Sequence, residues 1–271
     1  MHMRAASRTR IAVVLATVAA LVMSAAAEET EPVPQHAADF TNREVTTALF
    51  KAKAGEPIDL SKHNLTYLDL SGLDFKGAKL AYSDFYGTDF TGANLRGVDL
   101  SHTRLDRSVL IRADLSGANL SGASILRPTI YTDLSENLAD APRFAGANLT
   151  GIRVMAKMSG ADFHGADLTN ANFTPREGRP GQGTITTLAK NVLKSCDFTR
   201  AILRGVNFDR AVLTFSRFDG ADLRDANLAG TDLSKADFTG ADLDGANLLA
   251  VKGLDTVKGL STALNFDKTV R

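Results

Sequence analysis

The sequence predicts an all-β solenoid, a chain wound into stacked coils, and three observations lead there. Every fifth residue is large and apolar without a miss from Leu60 through Leu65, Leu70, Phe75, Leu80, Phe85 and Phe90 to Leu120, Ile125 and Ile130. Two residues before these centres the side chain is usually small, as at Ala93, Ala113, Ala118, Ala221, Ala226 and Ala236. The same period resumes after interruptions at Phe144–Val154, Phe163–Phe173 and Leu193–Leu248. A helix repeats every 3.6 residues and a flat strand every two, so neither keeps a fifth-position set on one face; the backbone must turn a corner once per repeat.

The elements follow in chain order. Arg4, Arg8 and Arg10 precede an apolar stretch from Ile11 to Val22 that exits through Ser24-Ala25-Ala26-Ala27, which reads as a secretory signal peptide over 1–27, cut between Ala27 and Glu28. The stretch is short of the roughly twenty residues a spanning helix needs, so no stable membrane insertion is expected after cleavage, with an uncleaved tether as the alternative. Residues 28–41, with Pro32 and Pro34, read as a linker. Over 42–55 the spacing of Val45, Leu49 and Ala52, with Asn42 as N-cap, predicts a helix that caps the first coil, because an open solenoid end invites aggregation. The repeats occupy 56–250, with breaks at 131–143, 155–162 and 174–192. Beyond Leu248 the phase slips, and 251–271 reads as a C-terminal cap, a degenerate last coil followed by a short cap, with pairing of two copies through it as the alternative.

Units such as Ala113-Asp114-Leu115-Ser116-Gly117, repeated at 33 centres, make the chain resemble the pentapeptide repeat family. The resemblance implies a right-handed quadrilateral β-helix of four repeats per coil, here about eight coils with short helical caps. In such a coil the centre and the small residue point inward. The Asp or Asn before the centre, and the two residues after it, face water. The outward acids, among them Asp69, Asp89, Asp222, Asp232 and Asp242, then have a structural task, since short polar side chains bond the backbone locally at corners.

The best-known activity in that family is protection of DNA gyrase by rods that resemble DNA, which requires a strongly negative surface. This chain has 31 basic and 31 acidic residues, and removing the three signal-peptide arginines leaves 28 against 31. Near-neutrality and export both oppose that activity, which stays as the alternative, and no nucleic-acid partner is expected. An enzyme would need titratable groups that converge in differing environments, whereas these ladders are uniform and solvated. Cys196 falls in the inward small slot and reads as a buried stand-in for alanine, and no second cysteine exists to form a disulfide. His63 falls in a similar slot and reads as a core histidine. The histidines show no metal-ligand spacing, and no cofactor is implied.

Function is expected where the pattern departs from uniformity, since solenoid insertions project from one face or edge. The break 131–143 reads as holding a helical turn near 135–139. The segment Pro175-Arg176-Glu177-Gly178-Arg179-Pro180-Gly181 reads as a basic loop, with helical spacing at Ile185, Leu188, Ala189 and Val192 after it. Arg176 and Arg179 are candidate partner contacts. Residues twenty apart stack, so Arg107 lies beneath Arg127 with Arg112 on the neighbouring face, and Tyr131, Tyr86, Leu126 and Ile111 are outward nearby. The expectation is a non-catalytic, exported protein, periplasmic or secreted, that presents a rigid surface to an unidentified protein partner.

Overall fold

The computed structural model describes residues 37–53, 56–132, 137–174 and 186–271. The repeats form parallel ladders in which residue i pairs with residue i+20, as in Asp59↔Lys79↔Asp99↔Asn119 and Asn64↔Asp84↔Arg104↔Ser124. Each coil therefore consumes twenty residues in four corners. At most corners the carbonyl of the centre accepts from the amide three residues on, for example Ala93 N to Phe90 O at 2.9 Å. The residue two after the centre takes positive φ, as at Gly92 (+64°), Arg127 (+52°) and Phe215 (+61°). One positive φ at the third turn position is the type II pattern, and it explains why glycine recurs there. Among the described residues only Ser124–Leu126 (β1) and Arg153–Met155 (β2) are long enough to count as strands, and they pair in parallel with Ile125 opposite Val154.

Inside, the small residue and the centre alternate; the centres from Leu60 to Leu248 are buried, as are most of the small residues. Phenylalanines stack coil on coil: Phe198 on Phe218 at 4.9 Å and Phe218 on Phe238 at 4.7 Å, with Phe144 on Phe163 at 4.7 Å. Hydroxyls that enter the small slot bond carbonyls, as Thr88 Oγ1 does to Leu65 O at 2.6 Å, so among the described residues no buried hydroxyl is stranded.

The first coil is closed by a helix, α1 (Asn42–Lys51), shorter than the sequence expectation of 42–55, whose last two residues lie outside the described set. Its N-cap is Thr41, not Asn42: Thr41 Oγ1 accepts from Glu44 N while Glu44 accepts from Thr41 N at 2.8 Å, a capping box. Asn42 instead serves the coil edge, its Oδ1 accepting from Asp69 N at 3.1 Å. Asp39, expected in the linker, also pairs with that edge: its amide donates to Asn64 O at 2.7 Å and its carboxylate accepts from Asn64 N at 2.8 Å. Val45 and Leu49 are buried in the core, and Lys76 Nζ reaches Leu49 O at 3.1 Å. Helix and preceding residues thus satisfy the exposed edge of the first coil, where unpaired groups would template aggregation.

The far end is the degenerate last coil that the phase slip implies, without the short helical cap expected after it. No α-helix closes it; the ladder continues through Asp232↔Lys252, Asp237↔Lys258, Asp242↔Leu264 and Asn247↔Val270. The rungs Lys252, Lys258, Leu264 and Val270 are six apart. Each corner of this last coil has gained a residue, with short 3₁₀ turns at Leu254–Thr256 and Phe266–Lys268. Val251, Val257, Leu260, Ala263 and Phe266 pack against the core, so the lengthened coil is itself the cap. The ladder Asp59–Lys79–Asp99–Asn119–Asn148–Asp167–Asp197–Arg217–Asp237–Lys258 has ten rungs, against the eight coils expected, because repeats hidden in the interruptions and this last coil add to the count.

Candidate functional site

The three interruptions resolve into register changes that leave the stack intact. In the first, Asp114 pairs with Arg143 and Asn119 with Asn148, a step of twenty-nine, so nine residues are added between Ile130 and Phe144. The turn expected near 135–139 is a 3₁₀ turn at Leu138–Asp140, and residues 133–136 lie outside the described set. Asp140 is buried there, accepting from Thr132 Oγ1 at 2.6 Å and Thr132 N at 3.1 Å. The Thr132 hydroxyl and amide hold its carboxyl below the ordinary aspartate value, with Arg112 adding to this.

In the second, Met158 follows Val154 after four residues and takes a centre position, its amide bonding Thr187 O at 2.9 Å. One corner residue is deleted, which is the tightened corner that the nine-residue spacing from Val154 to Phe163 implies. In the third, the step is thirty, from Asp162 to Val192 and from Asn172 to Ile202. The repeat resumes at Thr186, whose hydroxyl bonds Phe173 O at 2.9 Å, and Leu188 is a buried centre. The helical spacing over Ile185–Val192 therefore misleads: Thr187 and Val192 are ladder rungs, and the excursion is ten residues instead of the nineteen of 174–192. Leu188 lies five before Leu193, and the hydrogen bonds of the ladder outweigh a single helical turn that would leave the coil open.

Around these breaks the candidate residues separate. Arg107 and Arg127 occupy successive positions on one corner, both with positive φ, and Arg107 N bonds Leu126 O at 2.9 Å. Arg112 belongs to another corner, where its amide bonds Asp140 O at 2.7 Å and its guanidinium approaches Asp140 Oδ1 at 3.4 Å. It anchors the first insertion, while its side chain stays 56% exposed. Ile111 is buried, contrary to its outward assignment, while Leu126, Tyr86 and Tyr131 are half-buried. Arg176, Arg179, Ala27 and Glu28 lie outside the described residues.

Arg127 and Tyr131 do meet, with Pro128, Thr129, Ile130, Ala156 and Lys157, around a cavity of about 390 Å³. It sits where one ladder skips a rung: Val109 pairs with Thr129 and Lys157 with Thr187, but no bridge joins Thr129 to Lys157. The deleted corner residue after Val154 and the insertion after Ile130 fall on the same face, so the two coils part there. Tyr131 hydroxyl donates to Ser159 O at 2.7 Å and holds one wall.

Elsewhere the Asp and Asn side chains before the centres bond the corners. Asp89 Oδ1 accepts from Thr91 N at 2.7 Å and Asp232 Oδ1 from Ser234 N at 3.0 Å, the corner bonding expected of them. Asparagines ladder between coils, Asn247 Nδ2 to Asn227 Oδ1 at 3.1 Å and Asn227 Nδ2 to Asn207 Oδ1 at 3.0 Å. Cys196 is buried as expected, its Sγ 2.9 Å from Phe163 O, and burial pushes its thiol up to about 12, where it is not a nucleophile. His63 is not a core residue: its side chain is 41% exposed, because the first coil has no coil beneath it. The ring turns outward to Asp39 Oδ2 at 3.0 Å and packs edge-on against Phe40. Among the described residues no group of three or more His, Cys, Asp or Glu is placed to hold a metal.

Sequence reasoning missed the stack of Tyr82 on His102, 4.7 Å apart, and Arg104 lying 4.3 Å over the Tyr86 ring while pairing with Asp84. The signal was present, since 82 and 102 differ by the twenty-residue coil.

Among solved structures, the chain is similar to HetL, a pentapeptide repeat protein involved in heterocyst differentiation regulation in the cyanobacterium Nostoc, at 23% identity over 86% of this chain and all of that one, with a TM-score of 0.39. It is similar to QnrB1, a plasmid-mediated fluoroquinolone resistance protein, at 19% identity over 75% of this chain and 95% of that one, with a TM-score of 0.27. A pentapeptide repeat protein of the Arabidopsis thaliana thylakoid lumen matches at 27% identity over 46% of this chain and 70% of that one, with a TM-score of 0.25. No curated protein matches. The family model for pentapeptide repeats matches in eight copies, over residues 58–97, 93–125, 156–174, 192–228 and 216–248, more than half of the sequence. The chain belongs to the pentapeptide repeat family.

Proposed function

We propose that the chain is a non-catalytic, exported interaction rod, right-handed and four-sided as its family implies, that presents a fixed surface to a protein partner. The observation that carries this reading is the gap between Thr129 and Lys157, where among the described residues a ladder misses a rung. There, Arg127, Tyr131 and Lys157 surround an open cavity, with Arg107 one coil below. A rigid basic and aromatic recess of this kind suits protein recognition, since arginine and tyrosine are enriched at interfaces. Arg176 and Arg179 are proposed to add to the same contact surface. A second copy could also dock at the last coil, where Leu264 and Val270 are exposed rungs.

Export is proposed from the basic head, apolar run and Ala27 exit of residues 1–27, with the periplasm or the medium as the destination. Cell fractionation with N-terminal sequencing tests it: recovery outside the cytosol beginning at Glu28 supports the reading, and an intact cytosolic chain overturns it and makes topoisomerase protection the assay to run. Arg127→Glu and removal of ten residues, 176–185, test the contact surface. Both leave the ladder in register, so loss of phenotype with an unchanged melting curve supports the reading. An unchanged phenotype in both counts against it.

A further inference from the structure

Between residues 190 and 235 one face of the rod departs from the composition of the same face below and above it. Val192 and Val212 are consecutive rungs of the same ladder, 43% and 39% exposed, where the family pattern places Asp or Asn. On the corner to one side, Lys190 and Arg210 occupy successive coils; on the other, Phe215 lies between Ser195 and Lys235. Phe215 is 48% exposed, with Lys235 Nζ 5.1 Å and Lys194 Nζ 5.9 Å from its ring centre. Among the described residues no carboxylate pairs with Lys190, Lys194 or Lys235, while Arg210 has Asp209 at 3.8 Å. Lower on the same face the cations are neutralised, as Arg96 and Arg143 are by Asp114.

Phe215 also sits at a corner with φ of +61°, where most repeats carry glycine or a polar residue. A bulky side chain in this region is unfavourable, and here its ring contributes nothing to the core. An exposed aromatic held in a costly conformation, beside two bare valines and inside a ring of cations, has the makeup of a contact surface: an apolar centre with a charged rim.

The charges select the occupant. Lys190 and Arg210 on one edge and Lys194 and Lys235 on the other call for carboxylates on both sides of an apolar strip. Asp162 and Asp232 are the rungs that close the strip below and above, so a continuous anionic surface, whether a bilayer or a phosphate backbone, meets repulsion at both ends. A short segment whose carboxylates alternate with apolar side chains fits between them. We infer that the Val192–Val212–Phe215 face docks a short acidic protein segment with apolar side chains at its centre. The inference rests on reading the chain as an interaction rod and assigns that activity a second surface, distinct from the cavity at Arg127.

The test uses the full chain and a labelled short peptide of alternating glutamate and valine, followed by fluorescence anisotropy at low salt. Wild type is expected to bind, and Lys194→Glu with Lys235→Glu is expected to weaken binding by about tenfold or more, as charge reversal at a rim does. Phe215→Gly is expected to weaken binding without lowering the thermal midpoint, a combination that a merely structural Phe215 would not give. Arg127→Glu is expected to leave peptide binding unchanged. No binding by wild type, or equal binding by the Lys194/Lys235 and Phe215 variants, overturns the proposal. Loss only in Arg127→Glu also overturns it, but leaves the interaction-rod reading standing. Binding of phosphatidylglycerol vesicles or an oligothymidylate in place of the peptide, lost in Lys194→Glu/Lys235→Glu, overturns it in favour of a membrane or nucleic acid.

Discussion

Replacing Phe218 by alanine removes the middle ring of a three-ring stack. Phe218 is fully buried, 4.9 Å from Phe198 below and 4.7 Å from Phe238 above, with interplanar angles of 3° and 20°. The neighbouring rings are fixed at the coil spacing by backbone ladders on every side, so the hole cannot collapse, and the loss is about 4 kcal/mol, within the range for Phe→Ala in cores. Phe218→Leu installs the residue that most other centres carry and keeps much of the volume. It forfeits two ring contacts worth about 0.5–1.5 kcal/mol each, for a loss of about 2 kcal/mol. Urea unfolding followed by circular dichroism reads both, as a lower midpoint at unchanged slope. The interior-ladder account is refuted if alanine costs no more than leucine, or if both cost under about 1 kcal/mol.

Three further outcomes follow from the corners and slots. The Ser234 hydroxyl and amide hold the Asp232 carboxyl below its usual value, and Thr239 does the same for Asp237. A carboxyl lowered in the folded state adds stability that is complete above the unfolded value, about 3.9, and is lost as pH falls through the lower folded value. The thermal midpoint should therefore drop below about pH 4, and less steeply in Asp232→Asn/Asp237→Asn, which keep the acceptor without the charge. Cys196, buried and with its thiol pushed up to about 12, should ignore a thiol reagent in the native protein at mildly alkaline pH and react fully in guanidinium. Gly92→Ala, at φ of +64° with open space around the new Cβ, should cost about 1–2 kcal/mol. Gly87→Ala should cost more, because its Cβ would lie 2.6 Å from the Tyr67 ring, as a parallel urea series would show.

The interior was legible because each inward slot accepts one kind of side chain, and a slot repeated every five residues prints itself on the sequence. Legibility failed where the period itself changed. In the last coil Val251, Val257 and Ala263 recur every six residues, as do Gly253, Gly259 and Asn265, the last three with positive φ; a five-residue comb passes over them. Met158 was hidden by a single deletion, and Leu188 by an accidental helical spacing around a residue that kept the five-residue phase. His63 matched the inward pattern, but an end coil lacks the neighbour that would bury it. The surface was legible only through the coil length: Tyr82 and His102, or Val192 and Val212, are twenty apart and could be paired on paper. Arg112 and Asp140 are twenty-eight apart, a separation set by the insertion between them, and no periodicity announces it.

Both proposed surfaces are built from residues that only one continuous stack, unbroken by the three interruptions, brings together. The corner residues Ser101, Ser121, Thr150, Thr169, Thr199, Asp219 and Thr239 succeed one another along one edge through all three. Spin labels at Ser101→Cys and Thr239→Cys, with Cys196 replaced by alanine, should therefore give a narrow dipolar distance distribution centred at about 29 Å, six coil spacings of about 4.8 Å. A broad distribution, or one centred beyond about 40 Å, would mean that the chain breaks into separately oriented pieces and would contradict the continuous rod.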